Sequence, residues 1–276
     1  MKLLSSIRKL FSRPSYLFGR FRTVRWLYSR IRGLTSRSTI ASPSGESPYA
    51  DLSIPAAVEE MRRTAYVLLR PLPKEPIDDL LAFSRSTRLK GQGTIGELDY
   101  RDVVNGKLPD GQPVAIAYVM DAERHPFVAS LKNDPFLWEL ARQYLGYPPA
   151  RLDVNLYWSF HVNMTEEERR SQNQTIDFHF DVHDFNFCYY HLYITDTDAS
   201  NGAHVLVRSS HIRKPLRWLF GTARQSDRQI ESRYPAGDIV TLEGKGGTAF
   251  FEDTSCYHKA LPPASGERLL LQIRYH

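Results

Sequence analysis

From Asp153 to the end of the chain, apolar and polar residues alternate with a period near two, and turn residues interrupt the alternation at short intervals. The segments VNLYWSF, FHFDVHDF, YYHLYITD, HVLVRSS, DIVTLE, GTAFFED and RLLLQIRY each read as a strand, because successive side chains of an extended chain point to opposite sides. Asn201-Gly202 and the run Gly244-Lys245-Gly246-Gly247 are turns between them. Upstream the period lengthens towards that of a helix. Residues 55–70 and 75–86 read as helices, the second with Ile77, Leu80, Leu81 and Phe83 behind a proline. Residues 127–146 read as two short helices ending at Gly146, before Pro148 and Pro149 break the chain. Residues 92–112, with Asn105-Gly106, suggest turns or short strands, and the insert from Lys214 to Tyr234 suggests a polar helix over a barrel mouth. Many short strands behind a helical segment predict a mainly β fold with α: a two-sheet jelly roll buttressed by N-terminal helices.

The first 45 residues follow another pattern. Leu3, Leu4, Ile7, Leu10 and Phe11 fall on one helical face before Pro14, and Leu17, Phe21, Val24, Tyr28 and Ile31 on another after it, with arginines filling much of the remainder. Residues 35–50, rich in Thr, Ser, Pro and Gly, read as a linker. The expected organisation is therefore an arm and linker over 1–45 and a domain over 46–276. Within the domain, 46–150 supplies helical and irregular support and 151–276 the β core.

Charge sharpens this division. The net charge of +5 hides an asymmetry, since residues 1–45 hold ten of the 36 Lys/Arg and none of the 31 Asp/Glu. Beyond them 26 basic residues face 31 acidic ones, so the domain is no polycation and a nucleic-acid substrate is not expected. A basic, amphipathic arm suits the headgroup region of an anionic membrane, contacted through residues 1–35. A helix packed on the domain or a partner, or a targeting segment, satisfies the same pattern. No run of 18 apolar residues exists, so a membrane span is not expected. Two cysteines, Cys188 and Cys256, make no disulfide framework and fit a reduced, cytoplasmic setting, with membrane contact only at the periphery.

The candidate chemistry lies in the strands. His179-Phe180-Asp181 places a histidine and a carboxylate two residues apart, on one side of an extended strand, and His258 follows 77 residues beyond Asp181. Two histidines and one carboxylate are the donor set of a mononuclear Fe(II) facial triad, which leaves positions open for a cosubstrate and O2. Arg268 offers a planar, always-charged fork for a carboxylate. His183 is the rival ligand and Arg274 the rival anchor. His191 and His204 read as core or loop histidines, and His211 is not assigned to the metal.

The wider context of these residues resembles one family. Phe178-His179-x-Asp181, Tyr193-x-Thr195-Asp196-x-Asp198, the Asn201-Gly202 turn, Val207 before Ser209-Ser210-His211, Asp253-Thr254 before His258-Lys259, and an arginine on a Leu-rich last strand are similar to the phytanoyl-CoA dioxygenase-like Fe(II)/2-oxoglutarate oxygenases. The likeness is close over roughly 150–276 and looser over 58–150. It implies a cupin-like double-stranded β-helix, Fe(II) held by His179, Asp181 and His258, and 2-oxoglutarate anchored by Arg268. Tyr189 stands where relatives often carry a lysine and is the candidate second cosubstrate contact. The implied reaction is hydroxylation of a small-molecule or lipid-like substrate with O2, releasing succinate and CO2. A ligating carboxylate also fills the position that a halide would need. Readings of other classes are a cupin-type metal-dependent isomerase or hydrolase and a non-catalytic, membrane-peripheral binding protein.

Overall fold

In the computed structural model, which describes residues 14–35, 42–172 and 174–276, the alternating half of the chain and four short strands from before it form two antiparallel sheets. In chain order the strands are β1 (Tyr66–Leu68), β2 (Leu89–Gly91), β3 (Glu97–Leu98), β4 (Ile116–Val119), β5 (Leu152–Phe160), β6 (Phe178–His179), β7 (Cys188–Tyr193), β8 (His204–Val207), β9 (Arg224–Gln225), β10 (Ile239–Leu242), β11 (Ala249–Glu252), β12 (His258–Ala260) and β13 (Glu267–Tyr275). The larger sheet runs β1-β11-β7-β13-β5-β4-β2-β3 and the smaller β10-β8-β12-β6-β9. The helices are α1 (Ser15–Phe18), α2 (Arg22–Thr35), α3 (Ile54–Thr64), α4 (Lys74–Ser86), α5 (Pro126–Lys132), α6 (Pro135–Leu145), α7 (Glu166–Ser171), α8 (Leu216–Leu219) and α9 (Asp227–Arg233).

The period of two decides what each face of the larger sheet buries. Leu156 and Trp158 of β5, Tyr190 and Leu192 of β7, Phe251 of β11 and Leu269, Leu271 and Ile273 of β13 meet Met61 of α3, Leu80 of α4 and Leu137 and Leu140 of α6 in the main core. Their neighbours along the same strands, among them Ser159, His191, Glu252, Arg268 and Gln272, turn the other way, into the space between the sheets. The helices start and stop where the sequence allows. The Asp134 carboxylate accepts the Leu137 N–H at the start of α6, and Gly146, with φ +83°, closes its end.

The sequence pattern and the structure differ in four places. The FHFDVHDF segment contributes only the two residues of β6, so Asp181 lies just past the strand, where its N–H donates to Thr254 O at 2.9 Å. Asp181 thus reaches the site from a loop and not from an extended run shared with His179. The Lys214–Tyr234 insert is not one polar helix: it holds α8, β9 and α9, and β9 pairs with β6 beside His179. Its Trp218, Ile230 and Tyr234 pack with Phe178, Phe180, Val207 and Tyr257 on the outer face of the smaller sheet, because three large apolar side chains in a polar segment need burial. Tyr49, within the expected linker, is fully buried and its hydroxyl bonds that of Tyr190 at 2.7 Å.

The fourth difference is β1: the helix expected over 55–70 ends at Thr64, and Tyr66–Leu68 pairs with β11 at the edge of the larger sheet. The arm takes one of the arrangements its pattern allowed. Its first apolar stripe, Leu3 to Phe11, and linker residues 36–41 lie outside the described residues. Residues 14–35 pack on the domain. Tyr28 stacks on Phe185 with ring centroids 4.8 Å apart, Ser29 Oγ donates to Leu145 O at 2.7 Å, and the Arg25 guanidinium pairs with the buried Asp253 carboxylate at 3.1 Å. No helix of the described residues is long and apolar enough to cross a membrane.

Two predictions arise here. Burial alone would raise the Asp253 carboxyl, but Arg25 and His211 outweigh it and lower it to about 2 from 3.8. A depressed carboxyl contributes stability above its unfolded value and loses it as pH falls through the folded one. The contribution, on the order of 2 kcal/mol, should therefore be complete above 3.8 and fade as pH approaches 2. Asp253→Asn should abolish that acid step, read by Trp26 fluorescence or by protease cleavage within the arm. Gly106 has φ +72°, and an added Cβ would overlap the His161 carbonyl oxygen. Gly106→Ala should cost more than the roughly 1–2 kcal/mol of a left-handed residue alone, measured as a lowered urea midpoint.

Candidate metal centre

His179 sits at the end of β6 and His258 at the start of β12, directly paired across the smaller sheet. Their rings are 4.3 Å apart. Each ring is oriented by its own backbone. His179 Nδ1 donates to Asp177 O at 3.0 Å and His258 Nδ1 to Cys256 O at 3.1 Å, since a carbonyl can only accept. This selects the Nδ1–H tautomer and leaves both Nε2 lone pairs free. The Nε2 atoms lie 3.9 and 4.0 Å from the Asp181 carboxylate oxygens. The donor atoms of His179, Asp181 and His258 all fall within 4.8 Å of one another, as ligands of one ion require.

The protonation states suit a cation. Burial lowers His179, and burial together with the facing His179 ring lowers His258 to about 4. Burial would raise Asp181, but a hydrogen bond from His183 and the His258 and His179 rings hold its carboxyl well below the usual range. Two neutral imidazoles and one ionised carboxylate need lose no proton to bind a metal. His183 approaches Asp181 at 3.5 Å, but its side chain is 45% exposed and its donor atoms do not join the cluster.

Arg268 projects from β13 into the space between the sheets and is 2% exposed. Its Nη1 donates to Gly202 O and its Nη2 to Ser159 Oγ at 3.1 Å, while Nε has no partner. Among the described residues no carboxylate pairs with it. A cavity of about 50 Å³ opens against it, bounded also by Tyr157, Ser159, Gln174 and Ile176. Arg274, six residues further along the same strand, is engaged otherwise: its Nε donates to Asp153 Oδ2 at 3.1 Å and its Nη1 to the Tyr189 hydroxyl at 3.1 Å. Tyr189 lies among the rings of His183 and His191; its hydroxyl accepts from Arg274 and can donate to the Asp181 carboxylate.

Solved structures share this arrangement of sheets. The chain is similar to SnoN, a non-heme alpha-ketoglutarate-dependent epimerase from nogalamycin biosynthesis, with TM-score 0.52 and 16% identity over 80% of this chain and 82% of that one. SnoN has also been solved with Fe3+, alpha-ketoglutarate and nogalamycin RO, and that structure matches at TM-score 0.52 and 18% identity, covering 80% of this chain and 82% of that one. EvdO2 from Micromonospora carbonacea var. aurantiaca, solved with 2-oxoglutarate, matches at TM-score 0.51 and 12% identity over 84% of this chain and 91% of that one. The fold is the double-stranded β-helix. The sequence matches no protein-family model and no curated protein.

One site residue had no signal in the motifs. Glu252 of β11 is completely buried, with its Oε2 2.9 Å from His204 Nε2 and 3.4 Å from His191 Nε2. Gln272 Nε2 lies 3.4 Å from His191 Nδ1, and the His204 ring stacks on His258 at 5.4 Å. A chain of polar groups thus runs from β13 to the ring of a candidate ligand. Burial would raise Glu252, but His204 and His191 hold it well below its usual value. The alternation of GTAFFED places Glu252 on the face of Phe250, and a carboxylate on an otherwise apolar face is the signal that could have revealed it. Glu252, Cys256 and His258 form a second group of close donors. Burial pushes the Cys256 thiol well above its usual value, and it donates to Glu252 Oε1 at 3.3 Å, so this group offers a thiol where a metal needs a thiolate.

Proposed function

We propose that this chain is an Fe(II)/2-oxoglutarate-dependent oxygenase acting on a small-molecule or lipid-like substrate, as its resemblance to the phytanoyl-CoA dioxygenase-like enzymes implied. The observation that carries this reading is the pairing of two features in one barrel. One is a preorganised His179–Asp181–His258 donor set. The other is Arg268, a buried guanidinium with no carboxylate partner among the described residues. A buried charge left unpaired costs far more than a paired one, so such an arginine calls for an anionic ligand. The bound states of SnoN and EvdO2, with alpha-ketoglutarate and 2-oxoglutarate, support the choice of that anion.

His179, Asp181 and His258 would hold the iron, and Arg268 the distal carboxylate of 2-oxoglutarate. Iron in this setting supplies O2 activation, coupling decarboxylation of the 2-oxo acid to succinate and CO2 with oxidation of a substrate C–H bond. The chain's own residues do the rest. Asp177 and Cys256 carbonyls fix the two imidazoles. Gly202 O and Ser159 Oγ aim the Arg268 fork, which fixes where the cosubstrate carboxylate lies. Leu206, Leu242, Phe250 and Leu270 pack between the sheets and exclude water from the interior. His183, exposed beside Asp181, stands where a substrate would approach. SnoN is an epimerase, so the fold carries outcomes other than hydroxylation, the outcome proposed for this chain.

The test is anaerobic. 2-Oxoglutarate should bind the Fe(II)-loaded protein measurably in calorimetry, and bind far more weakly without metal. Admitting O2 should then yield succinate. Equal binding with and without Fe(II), and no succinate, would sink the reading.

A further inference from the structure

A second cavity, of about 530 Å³, lies between α2 and the body of the domain. The arm forms one wall. The end of α6, residues 211–214 after β8, and residues 253–255 before β12 form the others. Phe180 contributes to its floor and belongs to the apolar layer on the outer face of the smaller sheet. None of His179, Asp181 and His258 lines it.

The lining is unbalanced in charge. Arg20, Arg22, Arg25, Arg30, Arg62 and Lys214 share it with a single carboxylate, Asp253, and that carboxylate is already paired with Arg25. Lys214 is the informative group. Its Nζ donates only to the carbonyls of Ser210 and Ser255, and it sits 4.8 Å above the Phe180 ring and 5.6 Å from that of Tyr257. Arg62 donates to Gln143 O at 3.2 Å, and Arg30 rests over Trp26. Among the described residues, Arg22, Arg30, Arg62 and Lys214 make no ion pair. Carbonyls and aromatic faces satisfy donors without cancelling charge. Several cations bordering one half-open cavity match a group with several acceptor oxygens and more than one negative charge.

The same helix carries a second feature. Leu27, Ile31 and Leu34 of α2 are 52%, 52% and 89% exposed and recur at the spacing of one helical face. An exposed apolar row bordered by arginine is the chemistry of a helix lying at a headgroup boundary.

We propose that the cavity between α2 and the domain binds a phosphate ester through Arg22, Arg30, Arg62 and Lys214, and that the separate apolar row on the same helix meets the acyl chains when that ester belongs to a phospholipid. The site is separate from the metal centre, and the proposal does not rest on the oxygenase reading. The metal-free full chain serves for its test. Inorganic pyrophosphate is titrated by calorimetry. Sedimentation is measured with vesicles of equal parts phosphatidylglycerol and phosphatidylcholine, and with phosphatidylcholine alone, at low and high salt. The expected result is binding of pyrophosphate and of the anionic vesicles only, weakening as salt rises. Lys214→Met, Arg30→Gln and Arg62→Gln should each lower both affinities by about tenfold. Leu27→Ser with Ile31→Ser should lose the vesicles and keep pyrophosphate. Binding of pyrophosphate without the vesicles assigns the site to a soluble phosphate ester and discards the lipid. The proposal is overturned if neither probe binds at low salt, or if both bind unchanged in Arg30→Gln and Arg62→Gln. Those two exposed positions carry the test should Lys214→Met fail to fold.

Discussion

His258→Ala should leave a folded chain that no longer retains Fe(II) and no longer forms succinate from 2-oxoglutarate. His258 is 6% exposed, its Nδ1 is tied to the Cys256 carbonyl, and its Nε2 is free and 4.0 Å from Asp181. Burial lowers the ring to about 4, so at neutral pH no proton competes for that lone pair. Removing it leaves two donors for one ion. Loss of an outer partner of a metal ligand typically costs about 10–100-fold in affinity, and loss of the ligand itself should cost more. His183→Ala is the graded comparison: its side chain is outside the donor cluster and touches the metal site only through Asp181, so iron affinity should fall within that outer-partner range and less than in His258→Ala. Iron content after gel filtration, with the thermal transition as a check on folding, measures both. Full iron retention in His258→Ala with loss in His183→Ala would reverse the assignment.

The second large effect is expected at Arg268. Arg268→Lys keeps a positive charge but loses the planar fork and the bond to either Ser159 or Gly202. A charge-assisted bond is worth on the order of 1.5–3 kcal/mol, so the KM for 2-oxoglutarate should rise roughly tenfold to a hundredfold. Iron binding should hardly change. Arg268→Met separates function from folding. It removes a buried charge that has no carboxylate partner, so the ligand-free protein should be at least as heat-stable as the parent while cosubstrate binding is lost. A marked drop in the thermal midpoint would mean that Arg268 serves the fold and not a ligand. An unchanged KM in Arg268→Lys would direct attention to Arg274, although that side chain is already committed to Asp153 and Tyr189.

Much of this was legible in the chain alone, for local reasons. Alternation with period two and turn residues at short intervals announced the β core, and α4 to α6 and the start of α3 followed from helical spacing and the prolines around them, while Tyr66–Leu68 at the end of the first expected helix joined β11 as a strand. The candidate ligands stood out because two histidines and a carboxylate are chemically unusual on strands. Boundaries failed where a local pattern met a tertiary demand. FHFDVHDF alternates as a strand should, yet only Phe178 and His179 find a partner strand, and Asp181 turns away to bond Thr254. The insert read as a polar helix, but Trp218, Ile230 and Tyr234 had a sheet face to cover.

What the sequence by itself determined is the kind of groups available and the periodicity that sorts them to one side of a sheet or the other. Both are properties of neighbours along the chain. Only the tertiary structure decided which charges end without a partner. Arg268 and Arg274 share a strand and a face, but Asp153 neutralises one and nothing among the described residues neutralises the other. Glu252 stands between two histidines contributed by different strands, and Asp253, its neighbour, is met by Arg25 from the arm. An electrostatic partner is chosen by distance in space, across 228 residues in the case of Arg25 and Asp253, and no local pattern encodes such a distance.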